Sequence, residues 1–201
     1  MLSYIKYFKW MTVSMSAFLI SCASQKNLES NNAQTVKQPS QQTASRLSAW
    51  QATGAIAAKQ HKRAWSATLS FQQYDNNHFQ IHLFGPIGSG SVTIEKNGAL
   101  LTYRHGEKIA TGSQAMDFIH QETGVRFPFN QLSYWIRGLP APGPVQFSQH
   151  DQQVHLTVLK QAGYTLYFLN YTRVQSIELP TKIRLESAEG VVKVVIKQWK
   201  I

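Results

Sequence analysis

Apolar and polar side chains alternate over most of the chain beyond residue 50. In residues 65–71, single polar residues separate four apolar ones, which are Trp65, Ala67, Leu69 and Phe71. A period of two places successive side chains on opposite faces of a β-strand. Further strand-like segments occupy residues 79–83, 92–94, 101–103, 154–158, 164–171, 183–185 and 191–196. The pattern therefore predicts a succession of β-strands, most of them with one apolar face.

Short turn sequences separate these segments. Asn97-Gly98 between two alternating segments is a strong signal for a β-hairpin. Gly85-Pro86 and His105-Gly106 are further turn sequences. Successive strands joined by short turns form an antiparallel sheet, and a long antiparallel sheet curls because its strands twist. We expect a mainly β fold with about eleven strands in an open antiparallel barrel.

The spacing of apolar residues also predicts three helices. The first is expected to start at Thr43 and to end at Gly54. Ser113 is expected to cap a second helix that ends at Gly124, and Asn130 is expected to cap a third. We expect these helices to lie across the opening of the barrel.

The start of the chain has the pattern of an export signal. Lys6 and Lys9 precede an apolar run in residues 11–21, and Cys22, the only cysteine, follows it. The run is far shorter than the about 20 apolar residues that a transmembrane helix needs. It resembles a bacterial lipobox, which implies a signal peptide in residues 1–21 and a Cys22 carrying S-diacylglycerol and N-palmitoyl groups. A plain signal peptide, or a short anchor with an accidental cysteine, is the alternative.

Composition changes again after the predicted signal. Residues 22–43 are rich in Gln, Asn and Ser and predict a flexible tether, whereas residues 44–201 suit one domain with a sizeable core. The formal net charge is +10, of which Lys6 and Lys9 contribute two. A basic protein favours anionic partners, and for an exported chain these are lipid headgroups or an acidic protein face. Nucleic acid is not expected.

Signals for catalysis are absent from the sequence. Neither G-x-S-x-G nor the phosphate-binding G-x-x-x-x-G-K-[ST] occurs, and the seven histidines and ten carboxylates are dispersed. We therefore expect no catalytic residue, no metal and no cofactor. A lipid-anchored hydrolase whose acid–base pair assembles only in the folded chain is one alternative, and a scaffold lipoprotein is another.

Several short motifs, added to the lipobox, resemble the LolB family of outer-membrane lipoproteins. The resemblance covers residues 50–201 and is most specific around residue 135. The matching motifs are Thr53-Gly54-Ala55-Ile56-Ala57, Phe84-Gly85-Pro86-Ile87-Gly88-Ser89, Thr123-Gly124-Val125 with Phe127-Pro128, Leu132 with Trp135-Ile136-Arg137-Gly138-Leu139-Pro140, Leu179-Pro180 and Lys197-Gln198-Trp199.

The resemblance implies a function in lipoprotein transport. Members of this family accept lipoproteins from the soluble periplasmic carrier LolA and insert them into the outer membrane. Their open barrel of eleven strands encloses an apolar cavity for the acyl chains of the cargo. The resemblance thus implies a lipid-anchored protein that faces the periplasm, with LolA-like carrier, acylated cargo and outer-membrane lipids as partners. We expect it to be a monomer.

The resemblance also implies two sets of site residues. Pro86 and Ile87 match the loop between the third and fourth strands, whose protruding apolar side chain acts in membrane insertion. Gly85 departs from the polar residue usual in the family. Eight apolar residues are candidates for the acyl-chain cavity, although the same residues would pack an ordinary core: Trp65, Leu69, Phe79, Ile81, Leu83, Phe118, Trp135 and Ile136.

Overall fold

The computed structural model describes residues 44–61, 63–85 and 90–201. Eleven strands and two helices lie in these ranges. The strands are β1 (Trp50–Gln60), β2 (Arg63–Gln73), β3 (His78–Phe84), β4 (Ser91–Asn97), β5 (Leu100–His105), β6 (Lys108–Thr111), β7 (Val145–His150), β8 (Leu156–Gln161), β9 (Tyr164–Val174), β10 (Ile177–Glu186) and β11 (Val191–Lys200). The helices are α1 (Gly112–Thr123) and α2 (Phe129–Trp135).

All eleven strands form one antiparallel sheet. Its order is β6-β5-β4-β3-β2-β1-β11-β10-β9-β8-β7, so that β1 pairs with the last strand of the chain. Strands β6 and β7 are the two edges, and the sheet is therefore open. The prediction of about eleven antiparallel strands in one open sheet is confirmed.

The turn at Asn97-Gly98 joins β4 to β5, as the sequence predicts. Asn97 pairs with Leu100, and Gly98 has a φ of +57°. A positive φ at this position favours glycine because a side chain would be strained there.

The prediction of a helix ending at Gly54 is wrong over residues 50–54, because these residues form the start of β1. Trp50 and Ala52 are buried and alternate with less buried residues, and β2 and β11 supply backbone partners on both sides. Gly54 is not a helix stop. It lies so close to β11 that a Cβ would be 1.9 Å from the carbonyl oxygen of Val195, next to a β-bulge.

Both predicted helix caps are wrong, although one helix end is confirmed. The cap of α1 is Thr111 and that of α2 is Pro128, so that Ser113 and Asn130 lie inside the helices. Strand β6 runs directly into α1, which leaves no room for a cap at residue 113. Gly124 ends α1 in the left-handed conformation, with a φ of +73°.

The core lies between one face of the sheet and the two helices. Side chains from β1 to β4 and from β9 to β11 surround a common space together with residues of α1 and α2. The sheet therefore curls around this space. We call the face that lines it the inner face and the opposite face the outer face.

Candidate functional site

The space inside the curled sheet is apolar. Nineteen residues line it, and Thr123 is the single polar residue among them. They come from both halves of the sheet. On the β1 side Ile56 faces in, and on the β11 side Val194, its direct partner in the register, does so as well. We call this space the interior cavity.

Six of the eight candidate residues line the interior cavity: Trp65, Leu69, Ile81, Leu83, Trp135 and Ile136. The other two lie outside its lining. Phe79 is buried near the other end of β3, where its ring centroid is 5.0 Å from that of Phe71. Phe118 stacks on Tyr103 at 6.0 Å, with the ammonium of Lys108 over its ring.

The interior cavity is narrow in this structure. Its volume is about 70 Å³, whereas an engineered apolar cavity that holds one benzene measures about 150 Å³. Large side chains such as Phe71, Phe129 and Trp135 fill most of the interior. A cavity wide enough for an acyl chain is therefore not confirmed.

A wider cleft adjoins the interior cavity. It measures about 440 Å³ and is bounded by β2 to β5 and by α1. Residues lining both spaces are Trp65, Leu83, Ile94, Ile119 and Thr123. We call this space the side cleft, and these shared residues form the wall between it and the interior cavity.

Polar groups lie at one end of the side cleft. The Nδ1 atom of His105 is 3.3 Å from a carboxylate oxygen of Glu122, and both side chains are about one-third exposed. The buried Tyr103 hydroxyl has no hydrogen-bond partner among the described residues. Burial, and then the nearby Glu122 carboxylate, raise the pKa of Tyr103. This tyrosine therefore stays protonated beside the cleft, with its hydroxyl near the Glu122 carboxylate.

One side-chain hydrogen bond joins α1 to the sheet at the wall between the two spaces. The indole Nε1 of Trp65 donates to the carbonyl oxygen of Thr123 over 2.9 Å. The Thr123 hydroxyl donates to the carbonyl of Ile119 over 2.6 Å and accepts from the Val125 amide over 3.2 Å. Thr123 thus fixes the last turn of α1, to which Trp65 is attached.

Gln161, at the end of β8, holds the α2 side of the cavity. Its Oε1 accepts from Trp135 Nε1 and from the Ala141 amide, both over 2.9 Å. Its Nε2 donates to the Ala141 carbonyl over 2.7 Å. Gln161 is only 2% exposed, so these bonds are shielded from water and are costly to break.

Arg137 is a buried cation just after α2. Its guanidinium donates to the carbonyl oxygens of Ser133, Ala44 and Leu47 over 2.8 to 3.0 Å. It has no carboxylate partner within the described ranges, and burial lowers its pKa. Arginine nevertheless stays charged in proteins. It therefore ties the residues that precede β1 to the end of α2.

Gly138 explains part of the most specific motif. Its φ is +74°, and a Cβ there would lie 2.8 Å from the hydroxyl oxygen of Tyr171. That hydroxyl donates to the carbonyl of Leu156 over 2.7 Å. The chain thus passes too close to β9 for a side chain at this position.

The sequence-based candidates left out thirteen of the nineteen lining residues. Ile183, Leu185, Val192 and Val194 of β10 and β11 line the cavity. Their alternation was visible in the sequence, but only the pairing of β1 with β11 places them opposite the candidates.

Three candidates lie outside the described residues, namely Cys22, Pro86 and Ile87. Within the described ranges, no three His, Cys, Asp or Glu side chains lie close enough together to hold a metal ion. Neither described helix combines the length and the apolar composition that crossing a bilayer would require.

The fold and site define a class of protein, an open antiparallel sheet curled around an apolar interior and covered by two helices. The family model described as "Outer membrane lipoprotein LolB" matches residues 48–199. The chain therefore belongs to the LolB family, and the resemblance inferred from its motifs is confirmed.

Two relatives named "Outer-membrane lipoprotein LolB" illustrate the similarity. One, from Coxiella burnetii strain RSA 493, is 33% identical over 157 residues, which cover 78% of this chain and 74% of that protein. The other, from Francisella tularensis subsp. tularensis strain FSC 198, is 35% identical over 159 residues, covering 78% and 76%. A crystal structure of a LolA superfamily protein from Nitrosomonas europaea has 12% identity and a TM-score of 0.49, covering 77% of this chain and 86% of that one.

Proposed function

We propose that this protein accepts lipoproteins at the outer membrane and inserts them there. Lipid groups on Cys22 anchor it, and residues 22–43 tether the domain on the periplasmic side. A soluble LolA-like carrier delivers the acylated cargo, whose chains enter the apolar interior. Membership of the LolB family is the observation that carries this proposal.

The energetics of acyl chains favour such a hand-over. Burial of one methylene contributes about 0.8 kcal/mol, so a chain of roughly fifteen methylenes would cost on the order of 12 kcal/mol to expose to water. A cargo with several chains must therefore pass from one apolar site to the next. Differences in affinity between carrier, interior and bilayer drive the transfer, and no nucleotide hydrolysis is required.

The side cleft supplies the route of entry. It is the wider of the two spaces, and its wall toward the interior cavity contains the Trp65–Thr123 hydrogen bond. Breaking that bond, together with the exposed His105–Glu122 contact, frees the end of α1, and the two spaces then merge. The α2 side stays in place, because Gln161 holds Trp135 and the Ala141 backbone through three buried hydrogen bonds.

A substitution in the side cleft tests this route. Ala67 lines the cleft and is half-buried at the edge of the core, so Ala67→Trp fills part of the cleft. We expect cargo acceptance from the carrier to fall at least about tenfold, which corresponds to 1.4 kcal/mol. The measurement is the rate of transfer of a labelled lipoprotein. Thr68→Trp is the matched control, since Thr68 is exposed on the opposite face. Equal transfer by both variants would contradict the route.

Delivery to the membrane is assigned to Pro86 and Ile87. An apolar side chain at this position enters the acyl region of the bilayer, whereas a carboxylate there is costly to desolvate. We expect Ile87→Glu to accept cargo normally and to release it poorly into liposomes. Ile87→Leu, which keeps an apolar side chain of equal size, should behave like the parent protein. Normal release by Ile87→Glu would remove this loop from the mechanism.

A further inference from the structure

Five cationic side chains share the outer face of the sheet where β1, β11 and β10 are neighbours. They are Lys59, Lys182, Arg184, Lys193 and Lys197, and all five are exposed. We call them the basic patch. Their strand neighbours Ile183, Leu185, Val192 and Val194 line the interior cavity, so the patch lies on the side of the sheet away from the cargo site.

The patch brings like charges together with little compensation. Arg184 is directly opposite Lys193 in the register of β10 and β11. Like charges in this position destabilise a sheet. Arg184 pairs with Glu186 and lies over the ring of Tyr167, but the four lysines have no ion pair within the described part of the chain. The other carboxylates found in ion pairs have partners outside the patch: Glu95, Glu122, Asp151, Glu178 and Glu189.

The composition of the patch favours a membrane over a protein as its partner. Four of the five cations are lysines, which are depleted in protein interfaces. Ala55 and Ala57, which face the patch from β1, offer none of the large anchors on which protein interfaces depend. Lysine is a strongly hydrated point charge that suits the diffuse negative charge of anionic lipid headgroups. A second copy of the same face would be repelled.

We infer that the basic patch docks the domain on anionic headgroups of the bilayer. The inference rests on the anchoring at Cys22 that the proposed function includes. Because a tether keeps the domain near the surface, even weak attraction holds it there. Docking through the outer face leaves the side cleft free for a carrier, since the cleft is on the inner face.

Lysine footprinting of the full anchored chain tests the docking. The chain is reconstituted in phosphatidylcholine vesicles, with or without about one-third phosphatidylglycerol, and briefly acetylated before mass spectrometry. We expect acetylation of Lys182, Lys193 and Lys197 to slow about threefold or more in the anionic vesicles, and high salt to abolish the difference. Lys96 and Lys108, outside the patch, should change much less.

Charge-matched variants separate the patch from overall charge. Lys182→Gln with Lys193→Gln and Lys197→Gln should abolish the protection of the remaining Lys59 in anionic vesicles. Removal of three charges elsewhere, by the substitutions Lys96→Gln, Lys108→Gln and Lys160→Gln, should leave Lys59 protected. Circular dichroism establishes that both variants are folded.

Two outcomes would overturn the inference. One is equal acetylation of patch and control lysines in both kinds of vesicle. The other is protection in neutral vesicles only after an acidic carrier protein is added, which would identify a protein as the occupant. Neither outcome depends on cargo transfer, so the proposed function stands or falls by its own assay.

Discussion

The two helices that cover the interior cavity are held to the sheet in different ways. On the α2 side, Gln161 of β8 makes three buried hydrogen bonds, one to Trp135 of α2 and two to the backbone of Ala141. At the end of α1, two less buried side-chain contacts reach the sheet, one between Trp65 and the Thr123 carbonyl and one between His105 and Glu122. The wider side cleft lies on the α1 side.

This difference indicates which part of the wall moves. A buried polar group that loses its partner costs about 1 to 3 kcal/mol, whereas one ordinary hydrogen bond contributes about 1 kcal/mol. Separating α2 from the sheet would strand the buried polar groups of Gln161 and Trp135, whereas the groups freed at the end of α1 are part-buried or exposed. The narrow interior is therefore expected to open at α1, with α2 as the fixed wall.

The largest expected effect is a loss of stability on the α2 side of the interior cavity, the wall that we expect to stay fixed. Gln161→Leu removes the partners of Trp135 Nε1 and of the Ala141 amide and carbonyl. We expect the free energy of unfolding to fall by about 3 kcal/mol, because these groups stay buried. Urea unfolding followed by circular dichroism measures the change. Gln149→Leu, on exposed β7, should change it by no more than about 0.5 kcal/mol. A similar loss for both variants would mean that the α2 side is not specially fixed.

A smaller effect is expected at the moving wall. Trp65→Phe removes the bond to Thr123 but keeps an aromatic ring in the wall. A loss of about 1 kcal/mol should raise hydrogen exchange in α1 about fivefold and leave α2 unchanged. Trp199→Phe is the control, because its indole donates to the Pro180 carbonyl over an equal 2.9 Å, away from the cleft. Faster hydrogen exchange of α2 in Trp65→Phe would contradict the difference between the two helices. Equally fast exchange of α1 in Trp65→Phe and Trp199→Phe would contradict it as well.

The smallest expected effect is a loss of stability at low pH, at the point where Glu95 joins β3, β4 and β5. The Arg104 guanidinium, followed by His78, lowers the pKa of Glu95, which joins β4 to β3 and β5. Because the folded pKa lies below the unfolded one, this stabilisation is present above the usual glutamate pKa and is lost as the pH falls through the folded pKa.

In Glu95→Gln, the free energy of unfolding should therefore fall by about 0.5 kcal/mol less on acidification than it does in the parent protein. The effect is small because the ion pair is partly exposed. Urea unfolding at intervals from about pH 6 to about pH 3 measures it. The side-chain amide of Gln161 does not titrate, so the loss of its hydrogen bonds in Gln161→Leu should lower the free energy of unfolding equally at every pH. An unchanged acid limb in Glu95→Gln would contradict the contribution of this carboxylate.

Local patterns predicted the strands well and the helix starts poorly. The alternation around Leu69 and the Asn97-Gly98 turn depend on residues close in the chain, and both appear as predicted. The failed caps at Ser113 and Asn130 show the limit of this reasoning. A capping residue is recognised by its type, but the path of the preceding strand or proline decides where the helix starts.

The strand succession follows from the periodicity of the sequence, and the family follows from motifs whose glycines, such as Gly54 and Gly138, have no room for a side chain. The resemblance to that family, and not periodicity, pointed to the six candidates that line the interior cavity. How full the interior is, and which residues complete its lining, depend on the tertiary packing. Pairing of β1 with β11 joins residues from opposite ends of the domain, and the packing of large side chains across that space sets its volume. Neither quantity is encoded in any local stretch, because both depend on distant segments meeting.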